Sequence, residues 1–147
     1  MAVAGDRPLR VLLVEDEGPN RDLVAAILGS SHGLHLGPTD LRQSATLAEA
    51  RAHVLAWSTD LILLDLRLPD GSGLDLVRDL PSVGHPARSA VVVMSASVLP
   101  QHRAMAQAAG VDAFLGKPYR PSDLTTLLAR IAEGRAGRTA TERQPSP

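Results

Sequence analysis

Four places in this 147-residue chain carry side chains suited to handling phosphate, and each follows a short apolar run. Val11-Leu12-Leu13-Val14 leads into Glu15-Asp16-Glu17, and Leu61-Ile62-Leu63-Leu64 leads into Asp65. Ala90-Val91-Val92-Val93-Met94 ends at Ser95, and Asp112-Ala113-Phe114-Leu115-Gly116 ends at Lys117-Pro118. Carboxylates brought together repel, and without a counter-charge one of them stays protonated. A hard divalent cation resolves that conflict; Mg²⁺ takes few protein carboxylates, keeps waters and leaves positions for phosphate oxygens. Asp65, alone at the end of its run, is free to act as a nucleophile and become an aspartyl-phosphate. With the Ser95 hydroxyl and the Lys117 ammonium each taking a phosphate oxygen, the set suits phosphoryl capture by positioning and charge neutralisation.

These residues need a frame that brings them together. Continuous Val, Ile and Leu runs read as strands buried on both faces, the habit of parallel sheets, where chemistry gathers at the carboxyl ends of the strands. Helical patterns fill the gaps. Gly18-Pro19-Asn20 opens a helix with Leu23, Val24, Ile27 and Leu28 on one face, closed by Gly29. A weak second strand is expected between Thr39 and Ala45, after a Gly/Ser/His-rich loop over Ser30–Pro38. Thr46 and Glu49 form a capping-box signature ahead of a helix burying Leu47, Ala50 and Val54. Pro69-Asp70-Gly71-Ser72-Gly73 reads as a turn, followed by a helix with Leu74, Leu76, Val77 and Leu80, then a loop over Pro81–Arg88. Pro100 opens a fourth helix with Met105, Ala108 and Ala109 inward, ended by Gly110. Pro121 opens the last, with Leu124, Leu127, Leu128 and Ile131 on one face. Strand and helix alternate five times, which specifies a doubly wound α/β domain.

Composition narrows the function classes. One domain fits this length, with residues 1–8 as a flexible N-terminus, 9–133 as the domain and 134–147 as a disordered polar tail. The single Trp, Tyr and Phe argue for an aliphatic core and against base stacking, and the net charge of -1 gives no reason to expect a polyanion. Nucleic acid is therefore not an expected partner. Without cysteine there are no disulfides or thiolate metal sites. No apolar stretch is long enough to cross a bilayer, so the default location is the cytoplasm. The five histidines lack metal-like spacing, and Gly71-Ser72-Gly73 is too short for a phosphate-cradling loop.

Taken together, the four segments resemble a response regulator receiver domain, the phosphoacceptor module of two-component signalling and a relative of the CheY-like proteins. The resemblance runs from Leu9 to Ile131 and includes Asp60-Leu-Ile-Leu-Leu-Asp-Leu-Arg-Leu-Pro-Asp-Gly-Ser-Gly73 and Val91-Val-Val-Met-Ser-Ala96 in the family's order. It implies a flavodoxin-like five-stranded parallel sheet of order 2-1-3-4-5 with five helices. It further implies Asp65 as the phosphorylation site, Ser95 as the switch hydroxyl and Lys117 as the phosphate-binding lysine. Mg²⁺ would be held by Glu15 and Asp16, with Asp16 the direct ligand, by Asp65 and by the backbone carbonyl of Arg67. Phe114 occupies the position of a switch aromatic, although a Phe on a buried strand is as readily core. Arg67 and Ser97 fall where the family tunes loss of the phosphoryl group, and the long Arg67 side chain is expected to slow it.

The chain departs from the family at Glu15, where the first acid is more often Asp, and in a longer segment before the second helix. A histidine kinase or a histidine phosphotransfer protein is the implied phosphodonor. The signal is expected to leave by the surface of the fourth helix, fifth strand and fifth helix, toward a downstream protein, a further phosphotransfer step or a homodimer. The rival reading is an aspartate-nucleophile phosphatase of the haloacid dehalogenase type. That class carries a second acid two residues after the nucleophile, where this chain has Arg67, and a substrate cap for which there is no room.

Overall fold

A computed structural model of the chain describes residues 8–29, 38–80, 89–96 and 99–131. The five strands of its main sheet are β1 (Leu9–Val14), β2 (Thr39–Ser44), β3 (Leu61–Asp65), β4 (Ala90–Ser95) and β5 (Ala113–Gly116). They alternate with α1 (Gly18–Gly29), α2 (Leu47–Ala56), α3 (Gly73–Asp79) and α4 (Pro100–Ala108), and α5 spans 121–131. The strands pair in parallel in the order β2-β1-β3-β4-β5. A two-residue hairpin, Arg67–Leu68 against Gly71–Ser72, is inserted between β3 and α3. This is the flavodoxin-like order implied by the resemblance. The flanks (1–7 and 132–147), the two long loops apart from Pro38, and Ser97 lie outside the described residues.

The alternation of side chains along a strand divides the core into two layers. Val11, Leu13, Leu61, Leu63, Val92 and Met94 face one way and pack with Val24, Ile27 and Leu28 of α1 and Leu124 and Leu128 of α5. Leu12, Val14, Ile62, Leu64 and Val91 face the other way, onto Leu47, Ala50 and Val54 of α2 and Leu76 and Val77 of α3. β3 is buried along its whole length. A buried aliphatic side chain contributes about 2 kcal/mol relative to exposure, so the continuous apolar runs give the central strands no stable alternative to the middle of the sheet.

Some helix faces differ from expectation. Leu23 is exposed on α1, and Met105 and Ala108 are exposed on α4, where Ala106 is the buried residue. On the inner side of α4, Ala106 packs with Val93 and Leu74. The capping box at α2 is present in a shifted form: Thr46 accepts from the Glu49 N–H at 3.1 Å, and Glu49 accepts from the Ala45 N–H at 2.8 Å. Gly110 ends the α4 region with φ +92°, a conformation that favours glycine.

Candidate phosphoacceptor site

The carboxyl ends of four parallel strands converge on one corner of the domain. β1 runs straight into Glu15, whose N–H donates to the Ser44 carbonyl of β2 at 2.9 Å and whose side chain is 1% exposed. Asp16 and Glu17 follow in the open. β3 ends at the buried Asp65 and β4 at the buried Ser95. β5 ends at Gly116, and the next N–H, that of Lys117, donates to the Ser95 carbonyl at 2.8 Å. The Lys117–Pro118 peptide is cis.

The ammonium of Lys117 joins the strand ends. It donates to Glu15 Oε1 at 2.6 Å and to Asp65 Oδ2 at 3.1 Å, although Glu15 lies 102 residues away in sequence. The other oxygen of Asp65 accepts from the Arg67 N–H at 3.1 Å. Glu15 Oε2 accepts from the Glu17 N–H at 3.2 Å, and the Arg21 guanidinium donates to the Glu15 carbonyl at 2.9 Å. Burial raises the Glu15 carboxyl above its usual range, assisted by the charge of Asp65, and the bond from Lys117 only partly offsets this. Burial alone would lower Lys117, but its hydrogen bond to Glu15 and the attraction of both acids raise it. Lys117 therefore remains a cation at neutral pH.

One carboxyl oxygen from each of Glu15, Asp16 and Glu17 lies within 4.8 Å of the others. An all-oxygen donor set of this kind suits Mg²⁺, Ca²⁺ or Mn²⁺ rather than the softer metals. Glu17 joins this close group, whereas Asp65 is tied to it through Lys117. The residues thus fit a hard divalent cation.

The raised Glu15 carboxyl yields a stability prediction. Its folded-state pKa lies above the ordinary 4.5, so its contribution is full below that value and is lost as pH rises through the folded pKa. Glu15→Gln is expected to flatten this fall of stability with rising pH in metal-free protein, while weakening Mg²⁺ binding, both measurable by thermal unfolding across pH with and without the ion. An unchanged pH dependence in metal-free buffer would contradict the burial argument.

The family model for the response regulator receiver domain matches residues 11–129. The chain belongs to this family. It is the receiver domain of a two-component response regulator, and it is similar to Two-component response regulator ORR11 of Oryza sativa, with 31% identity over 89% of this chain and 86% of the relative. It is also 28% identical to the phosphate regulon regulator PhoB of Escherichia coli, of which it spans 51%. Among solved structures, the signal receiver domain of a putative LuxO repressor protein from Vibrio parahaemolyticus matches with a TM-score of 0.80 and 26% identity, covering 92% of this chain and 98% of that one. The receiver domain of sensor histidine kinase PA1611 from Pseudomonas aeruginosa PAO1 matches with a TM-score of 0.72 and 27% identity, covering 84% of this chain and 97% of that one. That structure has a magnesium ion coordinated in its active site cleft.

Within this receiver, Phe114 is half-buried on β5 and packs against the cluster of Leu74, Val93 and Ala106, as does Leu66. The Arg103 guanidinium of α4 lies 4.9 Å from the Phe114 ring centroid, within cation–π range. Arg67 is exposed and lines a cavity of about 300 Å³ with Leu66, Leu74, Ser95, His102 and Met105. His102 was not anticipated there, since it stands alone in sequence and only the packing of α4 brings it to the cavity. Arg21 also gave no sequence signal; its reach to Glu15 depends on where α1 starts. No helix among the described residues is long and apolar enough to cross a membrane.

Proposed function

We propose that this receiver is a phosphoacceptor switch in which Asp65 takes a phosphoryl group from a histidine kinase or histidine phosphotransfer protein. The observation that carries the proposal is the Lys117 ammonium, bonded at once to the buried acid after β1 and to the acid ending β3. In the transfer, an Asp65 oxygen forms a bond to phosphorus as the bond from phosphorus to the donor's imidazole nitrogen breaks, and the imidazole leaves with that electron pair. Lys117 is placed to exchange its contact with Asp65 for one to a phosphate oxygen, and the Arg67 N–H to donate beside it. Glu15, Asp16, Asp65 and the Arg67 carbonyl would hold Mg²⁺, which supplies neutralisation of the charge that the phosphate brings.

The Ser95 hydroxyl would bind another phosphate oxygen and draw in its strand end, and Phe114 would follow. This shifts the population toward a second arrangement of the α4-β5-α5 surface, where a downstream protein or a second copy would read it. Arg67 and Ser97 would tune the lifetime of the acyl phosphate, with the Arg67 side chain over the cavity restricting the attacking water. The working module would be residues 9–133, acting in the cytoplasm. No described feature favours the phosphatase reading: the position of its second acid holds Arg67, and the family match covers the domain.

Intact mass after incubation with acetyl phosphate tests this. The expected result is a gain of one phosphoryl group that plateaus at one per chain and needs Mg²⁺. No gain under any condition would overturn the proposal, and continuous turnover of a phosphomonoester without a plateau would restore the phosphatase.

A further inference from the structure

The two-residue hairpin after Asp65 is anchored at both ends. At its base, the Arg67 N–H donates to Asp65 Oδ1 at 3.1 Å. Its body is held by the pairs Arg67 with Ser72 and Leu68 with Gly71. At its tip, Asp70 reaches across to α2: Oδ1 accepts from the Leu47 N–H at 2.8 Å and Oδ2 from the Ala48 N–H at 3.1 Å. First-turn N–H groups have no partner within their own helix, and the positive end of the helix favours an anion. The bond from the Leu47 N–H holds the Asp70 carboxyl below the usual carboxylate range. Gly71 has φ +144°, and a Cβ there would come within 3.0 Å of Leu47 Cδ1, so the hairpin tip lies directly against the helix.

We infer that Asp70 is a positioning residue for the phosphorylation site, pinning the hairpin to α2 so that the Arg67 amide and carbonyl are held beside the Asp65 carboxylate. The inference rests on the proposed phosphoacceptor function. α2 has a second, separate cap in Thr46, whose side chain accepts from the Glu49 N–H rather than from a hairpin group. Loss of either cap weakens the same helix, but only loss of Asp70 releases the loop that carries Arg67.

The test compares Asp70→Ala, Asp70→Asn and Thr46→Ala in the full chain. Four quantities are measured: Mg²⁺ affinity by calorimetry, rate of phosphoryl uptake from acetyl phosphate, amide exchange over residues 66–72 in metal-free protein, and the thermal midpoint. Asp70→Ala is expected to weaken Mg²⁺ binding and slow uptake at limiting Mg²⁺ by about tenfold, the usual scale for losing an orienting partner of a metal ligand. Its hairpin amides should exchange faster. Asp70→Asn keeps one acceptor oxygen and should recover most of the loss. Thr46→Ala should lower the thermal midpoint as Asp70→Ala does, yet leave affinity, rate and hairpin exchange at wild-type values. Equal effects of Asp70→Ala and Thr46→Ala on affinity and hairpin exchange would overturn the inference. If wild type takes up no phosphate, the function proposal fails, while metal-free exchange still decides whether Asp70 holds the hairpin.

Discussion

Asp65→Asn is expected to abolish phosphoryl uptake while leaving the domain folded. The amide has the shape of the carboxylate, so β3 retains its packing and the Asn oxygen can still accept from the Arg67 N–H, as Asp65 Oδ1 does now at 3.1 Å. It lacks the anionic oxygen that must attack phosphorus, and no neighbouring acid stands at the end of β3 to replace it. Lys117 loses one of two anionic partners but keeps Glu15 at 2.6 Å, so the ammonium remains paired. Removing one of several crowded carboxylates also relieves repulsion on Glu15, whose raised pKa owes part of its shift to the Asp65 charge. The stability change should therefore stay within about 1 kcal/mol of wild type. Intact mass with acetyl phosphate and Mg²⁺, alongside thermal unfolding, measures both parts. Labelling of the variant at the wild-type rate would remove Asp65 from the role of acceptor.

Gly73→Ala should produce the largest loss of stability among alanine substitutions at the described glycines. Gly73 opens α3 directly beneath the end of β3, and its N–H donates to the Leu66 carbonyl at 2.9 Å. A Cβ at this position would overlap the Asp65 carbonyl oxygen and approach Leu64 Cγ to 2.9 Å. A strand carbonyl cannot swing aside as a flexible side chain does, so either α3 lifts away or the end of β3 moves. Overpacking of this kind costs about 3 kcal/mol, and here the displaced backbone is that of Asp65 itself. Denaturant unfolding should show the loss, and phosphoryl uptake should fall in the fraction that remains folded. Gly29→Ala is the internal control: nothing lies within 4 Å of a Cβ at Gly29, so that variant should be neutral or slightly stabilising. Wild-type stability in Gly73→Ala would show that α3 can shift without cost.

The order of elements and the placement of the candidate site residues at strand ends are legible in the chain because both signals are local. The apolar runs of β1, β3 and β4 each fill a strand, and the residue after each run falls at the carboxyl end of the sheet, where neighbouring strands converge. Even the poorly patterned β2 falls at Thr39–Ser44, held on β1 by parallel pairing rather than by its own hydrophobicity. The face of α4 differs from expectation at Met105 and Ala108, while Ala109 packs on the core as expected, because Met105, Ala106, Ala108 and Ala109 offer little contrast. Its rotation places Ala106 against Val93 and Leu74, a contact between distant elements that local pattern does not carry.

By itself the sequence determined that this is an alternating α/β chain with Glu15, Asp16, Asp65, Ser95 and Lys117 at the ends of its strands. Periodicity and capping act over a few residues, and those few residues are visible in order. Tertiary structure alone decided which groups touch: Lys117 with Glu15 across 102 residues, and Asp70 with the first turn of α2 across 23. It also placed His102 at the cavity beside Ser95. Such contacts depend on where separate elements come to rest against one another, and that is set by burial summed over the whole sheet.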